Sequence, residues 1–483
     1  MLPGPATTRR AWPKIISYCS HPPAGKVARK MREDASDKNR VRDQVGKIRD
    51  VLGDPRLQDV IERAAAQVPG DEAPRDKIAA LLSTDVDSTV SSGGEPEGLP
   101  YLSRAPLVSL VQSHIEEALG DAGAPDPDEH TSLWSKLVHT VEHDLHISPG
   151  SFTPDDPDWY VFIAKGALER LAEGNAPFNT TPAEYDGVAD DARLVIVGDW
   201  GTGLPRARDV ATHMHEAIDG ALAGHRQVHV LHLGDVYYSG LETEDQRRFL
   251  DLWPVTQEQA DAGVTSWSLN GNHDMYSGGF GYFGTLLGDP RFKGQRSPDG
   301  KPTSFFRLRS PSWDFIGIDT AWDTDVTSAG QVAVLQDPQG TYVAGVAAGS
   351  SRKLVLFSHH QLVSVYDKSD LGSTLPAKLV QVLNGNRVTA WWWGHEHRAI
   401  TYGATAGVRY PRCLGNGGVP ILPDPSPPAG SNPPITWHST RTVREDGQHR
   451  VRFGFAVLDL QPDRIEVAYV DDDGYTSHTE TVT

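Results

Sequence analysis

The sequence predicts an α/β fold, with a largely parallel β-sheet in the second half and a helical first part ending near residue 180. Two observations carry that prediction. LVIVGDW (194–200) and VHVLHLGD (228–235) are continuous apolar runs, as expected of strands buried on both faces. Between them a helical stripe runs through Val210, Met214 and Ile218, which makes one βαβ unit and implies parallel pairing. Further strand-like runs follow at SWSL (266–269), WDFIGID (313–319), KLVLFS (353–358), VTAWWW (388–393), FGFAVLDL (453–460) and RIEVAYV (464–470).

The first part has a different texture. Val41, Val45, Ile48 and Leu52 recur at helical spacing, and Asp54-Pro55 opens a helix through Leu57, Val60, Ile61 and Ala64. Later stripes are Leu107, Leu110, Val111, Ile115, Leu119 and Leu133, Leu137, Val138, Val141, Leu145, which read as core-facing and hold no cofactor motif. The Gly/Ser-rich stretch at 83–98 reads as a flexible linker. The expected organisation is a basic, disordered tail at 1–30, a helical region at 31–180 and a catalytic domain at 190–483, with 421–435 as a long surface loop. No internal repeat occurs.

Composition narrows the classes. A chain of 483 residues with 38% hydrophobic and 23% charged residues describes an ordinary globular protein, long enough for more than one domain. No apolar run is long enough to span a bilayer. The net charge of −19 argues against broad affinity for nucleic acid or anionic lipid, but not against an anionic substrate at a metal site. Cys19 and Cys413 define no disulfide framework. The first thirty residues are basic, but the apolar stretch at Ile15 and Ile16 is too short for an export signal. A cytoplasmic location is therefore the expectation, and Met31 is an alternative start.

Five clusters carry the chemistry: GDWG (198–201), GDVYY (234–238), GNHD (271–274), FSHH (357–360) and GHEH (394–397). Each places a donor just beyond a strand, at the carboxyl edge where α/β proteins build ligand crevices. Gly198, Gly234, Gly271 and Gly394 are expected to turn the backbone sharply there. Carboxylate, imidazole, amide oxygen and phenolate donors suit iron, zinc or manganese, and no thiolate takes part. Asp199 is a candidate ligand, Asp235 the natural bridge between two cations, and Asn272 a neutral oxygen donor. His395 and His397 lie two apart, on one face if the segment is extended, or divided between two metals if it loops.

In this order the motifs resemble those of the calcineurin-like metallophosphoesterases, and more specifically their purple acid phosphatase branch. The resemblance covers roughly residues 190–475. It implies a four-layer αββα sandwich of two packed mixed sheets flanked by helices. It also implies two metal ions: a ferric ion in the first site, with iron, zinc or manganese in the second. Carried over residue by residue, it gives Asp199, Asp235, Tyr238 and His397 to the first metal and Asp235, Asn272, His359 and His395 to the second. Most of the superfamily has His where Gly201 stands, and the purple branch supplies instead a Tyr three positions after the bridging Asp, here Tyr238. His273 resembles the family's outer-sphere His that contacts phosphate and helps protonate the leaving oxygen.

Two departures stand out. The strand at 353–358 ends in His359-His360 rather than a lone His; His359 is favoured as ligand because Gln361 then falls where the family often has Pro. No His lies between His360 and His395, so His360 is the candidate for a second outer-sphere role.

Taken singly, each residue has a plainer reading. Asp199 alone is a turn or a cap, Tyr237 and Tyr238 are strand-end aromatics, and His213, His215, His229 and His232 are satisfied core histidines. Trp391, Trp392 and Trp393 read as sheet-face residues, with Trp393 a possible pocket wall, and Asp319 and Asp323 as loop caps. Conjunction overturns this for the main set, since independent turns do not supply every donor in one family's order.

The reading is hydrolysis of a small-molecule phosphate ester at a binuclear centre, acid phosphatase-like. The alternatives are a phosphodiesterase on the same centre, or an interaction protein whose N-terminal helices recruit a partner while catalysis is secondary.

Overall fold

The computed structural model describes residues 109–110, 113, 174–323, 332–366, 373–423, 431–445 and 448–483. The expected tail at 1–30, the linker at 83–98 and the helical stripes other than Leu110 lie outside the described residues. Leu110 is helical and buried.

Among the described residues are sixteen strands and, from among the helices, three that bear on the site. In chain order they are β1 (Ala183–Tyr185), β2 (Arg193–Val197), α1 (Pro205–Ala223), β3 (Val228–His232), β4 (Thr265–Ser268), α2 (Asn272–Tyr276), β5 (Phe306–Arg309) and β6 (Trp313–Gly317). They continue with α3 (Asp337–Gly349), β7 (Lys353–Ser358), β8 (Val388–Trp393), β9 (Ala399–Tyr402), β10 (Val408–Leu414) and β11 (Ile435–His438). The last five are β12 (Thr442–Glu445), β13 (Gln448–Val451), β14 (Gly454–Leu460), β15 (Ile465–Asp471) and β16 (Thr476–Val482).

The strands form a six-stranded sheet, β16-β15-β14-β2-β3-β4, an eight-stranded sheet, β1-β5-β6-β7-β8-β10-β9-β11, and the hairpin β12-β13. Within the first sheet β2, β3 and β4 run parallel, as the βαβ reading requires, while β14 pairs antiparallel to β2. In the second, β6, β7, β8 and β10 run parallel. Strand β1 pairs with β5, so the sandwich takes in residues ahead of 190.

Alternation along each strand builds the layers, because successive side chains leave opposite faces. Leu194 and Ile196 of β2 meet Val355 and Phe357 of β7 and Ala390 and Trp392 of β8 in the core between the sheets. Val195 and Val197 of β2 pack instead on Val210, Met214 and Ile218 of α1. On the far side, Leu354, Leu356, Trp391 and Trp393 cover Val343 and Val346 of α3. The result is the four-layer αββα sandwich. Each fully buried large apolar side chain contributes about 1.5–3 kcal/mol, so three continuous cores hold the strand ends, and the loops between them, in place.

The core reading holds for the tryptophans, His229 and His232, whereas His213 and His215 are half-buried on α1 beside Glu216 and Asp219. Trp393 stacks on Tyr402 and donates to Glu396 Oε1 at 3.0 Å. His229 and His232 are fully buried in β3, and burial lowers their pKa to about 4 and about 3. Cys413 is buried in β10 with a free thiol.

Candidate metal centre

The carboxyl ends of β2, β3, β4, β7 and β8 all deliver a donor to one place. The ladder runs on past the strand ends: Leu233 N donates to Val197 O at 2.8 Å, Asp199 N to Gly234 O at 3.0 Å, and Gly394 N to His359 O at 3.0 Å. The sharp turns are made by the candidate ligands themselves. Asp199, Asp235, His395 and His397 have φ of 54°, 76°, 69° and 56°. A left-handed residue with a side chain costs on the order of 1–2 kcal/mol, and four at one site mark a geometry imposed by the surrounding fold. Of the four glycines expected to turn, only Gly234 has positive φ. Gly271 supplies room instead: a Cβ there would lie 2.0 Å from Asp235 Oδ1.

The donors fall into two adjoining groups. In the first, ligand atoms of Asp199, Asp235 and His397 lie within 4.8 Å of one another. One oxygen of each carboxylate is tied to the backbone, Asp199 Oδ2 by His395 N at 2.7 Å and Asp235 Oδ1 by His273 N at 2.9 Å. That leaves Asp199 Oδ1 and Asp235 Oδ2 facing the group. Burial works to raise the Asp235 carboxyl, but the nearby His359 and His273, with the His273 amide, hold it below the usual carboxylate range.

The tyrosine in this group is Tyr237, not the expected Tyr238. Its hydroxyl lies 3.3 Å from Asp199 Oδ1, 3.1 Å from Asp235 Oδ2 and 3.0 Å from His397 Nε2. A parallel bridge between Gly201 and Val236 follows the β2–β3 ladder, and Tyr237 N donates to Gly201 O at 3.0 Å, which holds residue 237 beside the first group at the start of a turn. The Tyr238 ring lies half-buried under the Arg248 guanidinium, 4.5 Å away.

The second group joins Asn272, His359 and His395. Asn272 Oδ1 is 2.9 Å from both His359 Nε2 and His395 Nδ1, which are 3.2 Å apart, and Asp235 Oδ2 lies 3.4 Å from His359 Nε2. Asp235 Oδ2 thus faces both groups, as a bridging oxygen must. His395 and His397 divide between the groups, because the segment is coiled rather than extended.

Hydrogen bonds orient the two histidines of the doublet differently. His359 Nδ1 donates to Leu233 O at 2.9 Å, which turns the Nε2 lone pair toward the group; the Asn272 amide donates to Tyr276 Oη at 2.6 Å, which turns its Oδ1 the same way. His359 Nε2, Asn272 Oδ1 and Asp235 Oδ2 are then acceptors facing one another, and a cation is what such a set accommodates. His360 is anchored through Nδ1 to Thr320 Oγ1 at 3.0 Å, with its ring 4.6 Å from that of His395. It offers a nitrogen to the same neighbourhood as His359 and His395. His273, second in α2, bonds through Nδ1 to Tyr238 O at 2.6 Å and packs on Tyr237 and Tyr276.

Supporting residues had no separate mark in the sequence. Asp274 accepts from the amides of Gly271 at 2.6 Å, Asp235 at 3.0 Å and Val236 at 3.2 Å, so it ties the second and third motif loops together. Its place in GNHD was the one available clue. Thr320 and Tyr276 are recognisable only from the fold.

A family model described as calcineurin-like phosphoesterase matches residues 192–399. A search of curated proteins returned no match. Similar solved structures include the Plasmodium protein GAP50, described as the anchor in the inner membrane complex, at 15% identity and a TM-score of 0.42, covering 60% of this chain and 88% of that one. A dimetal phosphatase from Danio rerio is 15% identical with a TM-score of 0.41, covering 61% and 99%. Among the described residues, no helix is long and apolar enough to cross a membrane. Residues 192–399, with their motif loops gathered at one sheet edge, match the calcineurin-like phosphoesterase family.

Proposed function

We propose that this chain is an acid phosphatase-like phosphomonoesterase acting on small-molecule phosphate esters, with iron in the first site and iron, zinc or manganese in the second. Metal-dependent phosphoester hydrolysis is the reaction of its family. The observation that carries the finer reading is the Tyr237 hydroxyl among Asp199, Asp235 and His397. A phenolate beside two carboxylates is a hard, anionic donor set suited to a trivalent ion, whereas Asn272, His359 and His395 are neutral donors suited to a divalent one. When bound, the two ions supply Lewis acidity toward phosphoryl oxygens and acidify water.

The chain's own residues supply the rest. With Nδ1 bonded to the Tyr238 carbonyl, His273 exchanges protons through Nε2, the arrangement a general acid for the leaving oxygen needs. Thr320 holds His360 beside His395, where an imidazole assists charge stabilisation at the same ester. Asp274 keeps the Asp235 and Asn272 loops in register.

Metal analysis and a visible absorption spectrum of the purified protein, with rates on p-nitrophenyl phosphate and its bis ester, test this. Iron, a tyrosinate charge-transfer band and faster monoester turnover are expected. A colourless zinc or manganese enzyme that prefers the diester would overturn the reading in favour of a phosphodiesterase.

A further inference from the structure

We infer that Ser113, far outside the matched domain, is a positioning residue for the loop that carries Tyr237 and docks on it. Ser109, Leu110 and Ser113 are helical, and all three are buried. Ser113 faces the loop that carries Ser239 and Glu244.

The partner of Ser113 is Glu244, whose buried carboxylate organises the loop. Glu244 Oε1 accepts from Tyr238 N at 2.6 Å, and Oε2 accepts from Ser239 N at 3.1 Å and Leu241 N at 3.0 Å. Ser113 Oγ donates to Glu244 Oε1 at 2.9 Å and lies 2.6 Å from Ser239 Oγ. A serine hydroxyl has one proton. With Ser113 donating to Glu244, Ser239 donates to Ser113, and the three form a directed chain. A buried carboxylate that loses one such donor bears an unmet desolvation cost, which moving the loop or admitting water relieves.

This loop touches the chemistry at two atoms. The Tyr237 hydroxyl enters the first donor group, and the Tyr238 carbonyl receives His273 Nδ1. Displacing the amides of Tyr238 and Ser239 therefore displaces a proposed ligand and the anchor of the proposed acid together. The effect on turnover rests on the function proposed above; the dock itself does not.

The test uses the full chain with Ser113→Val, Ser113→Ala and Ser113→Thr. It reads amide hydrogen exchange over 237–244, melting temperature, and kcat and KM on p-nitrophenyl phosphate. In Ser113→Val the amides of Tyr238, Ser239 and Leu241 should exchange about tenfold faster or more, with kcat down about tenfold and KM within about twofold. Ser113→Ala should follow in the same direction, and Ser113→Thr, which keeps the hydroxyl, should restore both readouts. Unchanged exchange in Ser113→Val and Ser113→Ala overturns the dock. Faster exchange with unchanged kcat overturns the positioning role. A wild-type chain inactive on phosphate esters overturns the proposed function, while the exchange pattern still decides the dock.

Discussion

The Tyr237 hydroxyl sits 3.1 Å from Asp235 Oδ2, so two residues two positions apart in β3's extension face the same donor group. Tyr238, next in the chain, lies under Arg248 instead. Tyr237→Phe should therefore weaken first-site metal retention by more than the roughly 10–100-fold that losing an outer-shell partner brings, and should abolish any tyrosinate band. Tyr238→Phe should keep both. Metal content after dialysis and the visible spectrum separate the two variants, and the reverse pattern would restore Tyr238 as the ligand.

His273→Ala should cost more with a poor leaving group than with a good one. General acid catalysis is worth roughly 10²–10⁴-fold, so turnover of an alkyl phosphate should fall by about that much. Turnover of p-nitrophenyl phosphate, whose leaving phenolate needs little protonation, should fall far less. Equal losses on both esters would mean that His273 binds phosphate without delivering a proton.

Gly201 stands where most of the superfamily has a histidine, and the structure shows why the position stays bare. A Cβ there would meet Val236 Cα at 2.9 Å and Asp235 O at 3.0 Å. Gly201→His should push apart the bridge that aims Tyr237, at a cost of roughly 1–3 kcal/mol. Thermal unfolding should show a lower midpoint, and metal retention should fall, although a ligand type has been added.

Acid stability should depend on His229, remote from the metal centre. Burial lowers its pKa from 6.5 to about 4. A base whose folded pKa is depressed gives its full stability above pH 6.5 and loses it as pH falls toward 4, a loss of about 3 kcal/mol. His229→Leu should flatten that limb between pH 6.5 and 4 in urea titrations. An unchanged pH dependence would mean that the imidazole is protonated in the folded state.

Much of the sandwich is written in local pattern. Strands β2, β3, β7 and β8 are continuous apolar runs because helix covers one face and the partner sheet the other. Strands without that double burial leave weaker traces. Strand β10 contains Pro411, β12 and β13 carry charged residues, and β16 reads TSHTETV at a sheet edge. Their pairing depends on neighbours distant in sequence.

The site divides the same way. Donor type and motif order were legible without coordinates: Asp199, Asp235, Asn272, His359, His395 and His397 all reach one sheet edge. The fold distinguishes adjacent identical residues. The turn after the Gly201–Val236 bridge brings the Tyr237 hydroxyl to Asp235 while Tyr238 lies under Arg248, and the Leu233 carbonyl orients His359. Neighbours in sequence share composition and spacing, and in the loops beyond the strand ends only the contacts that each side chain makes tell them apart.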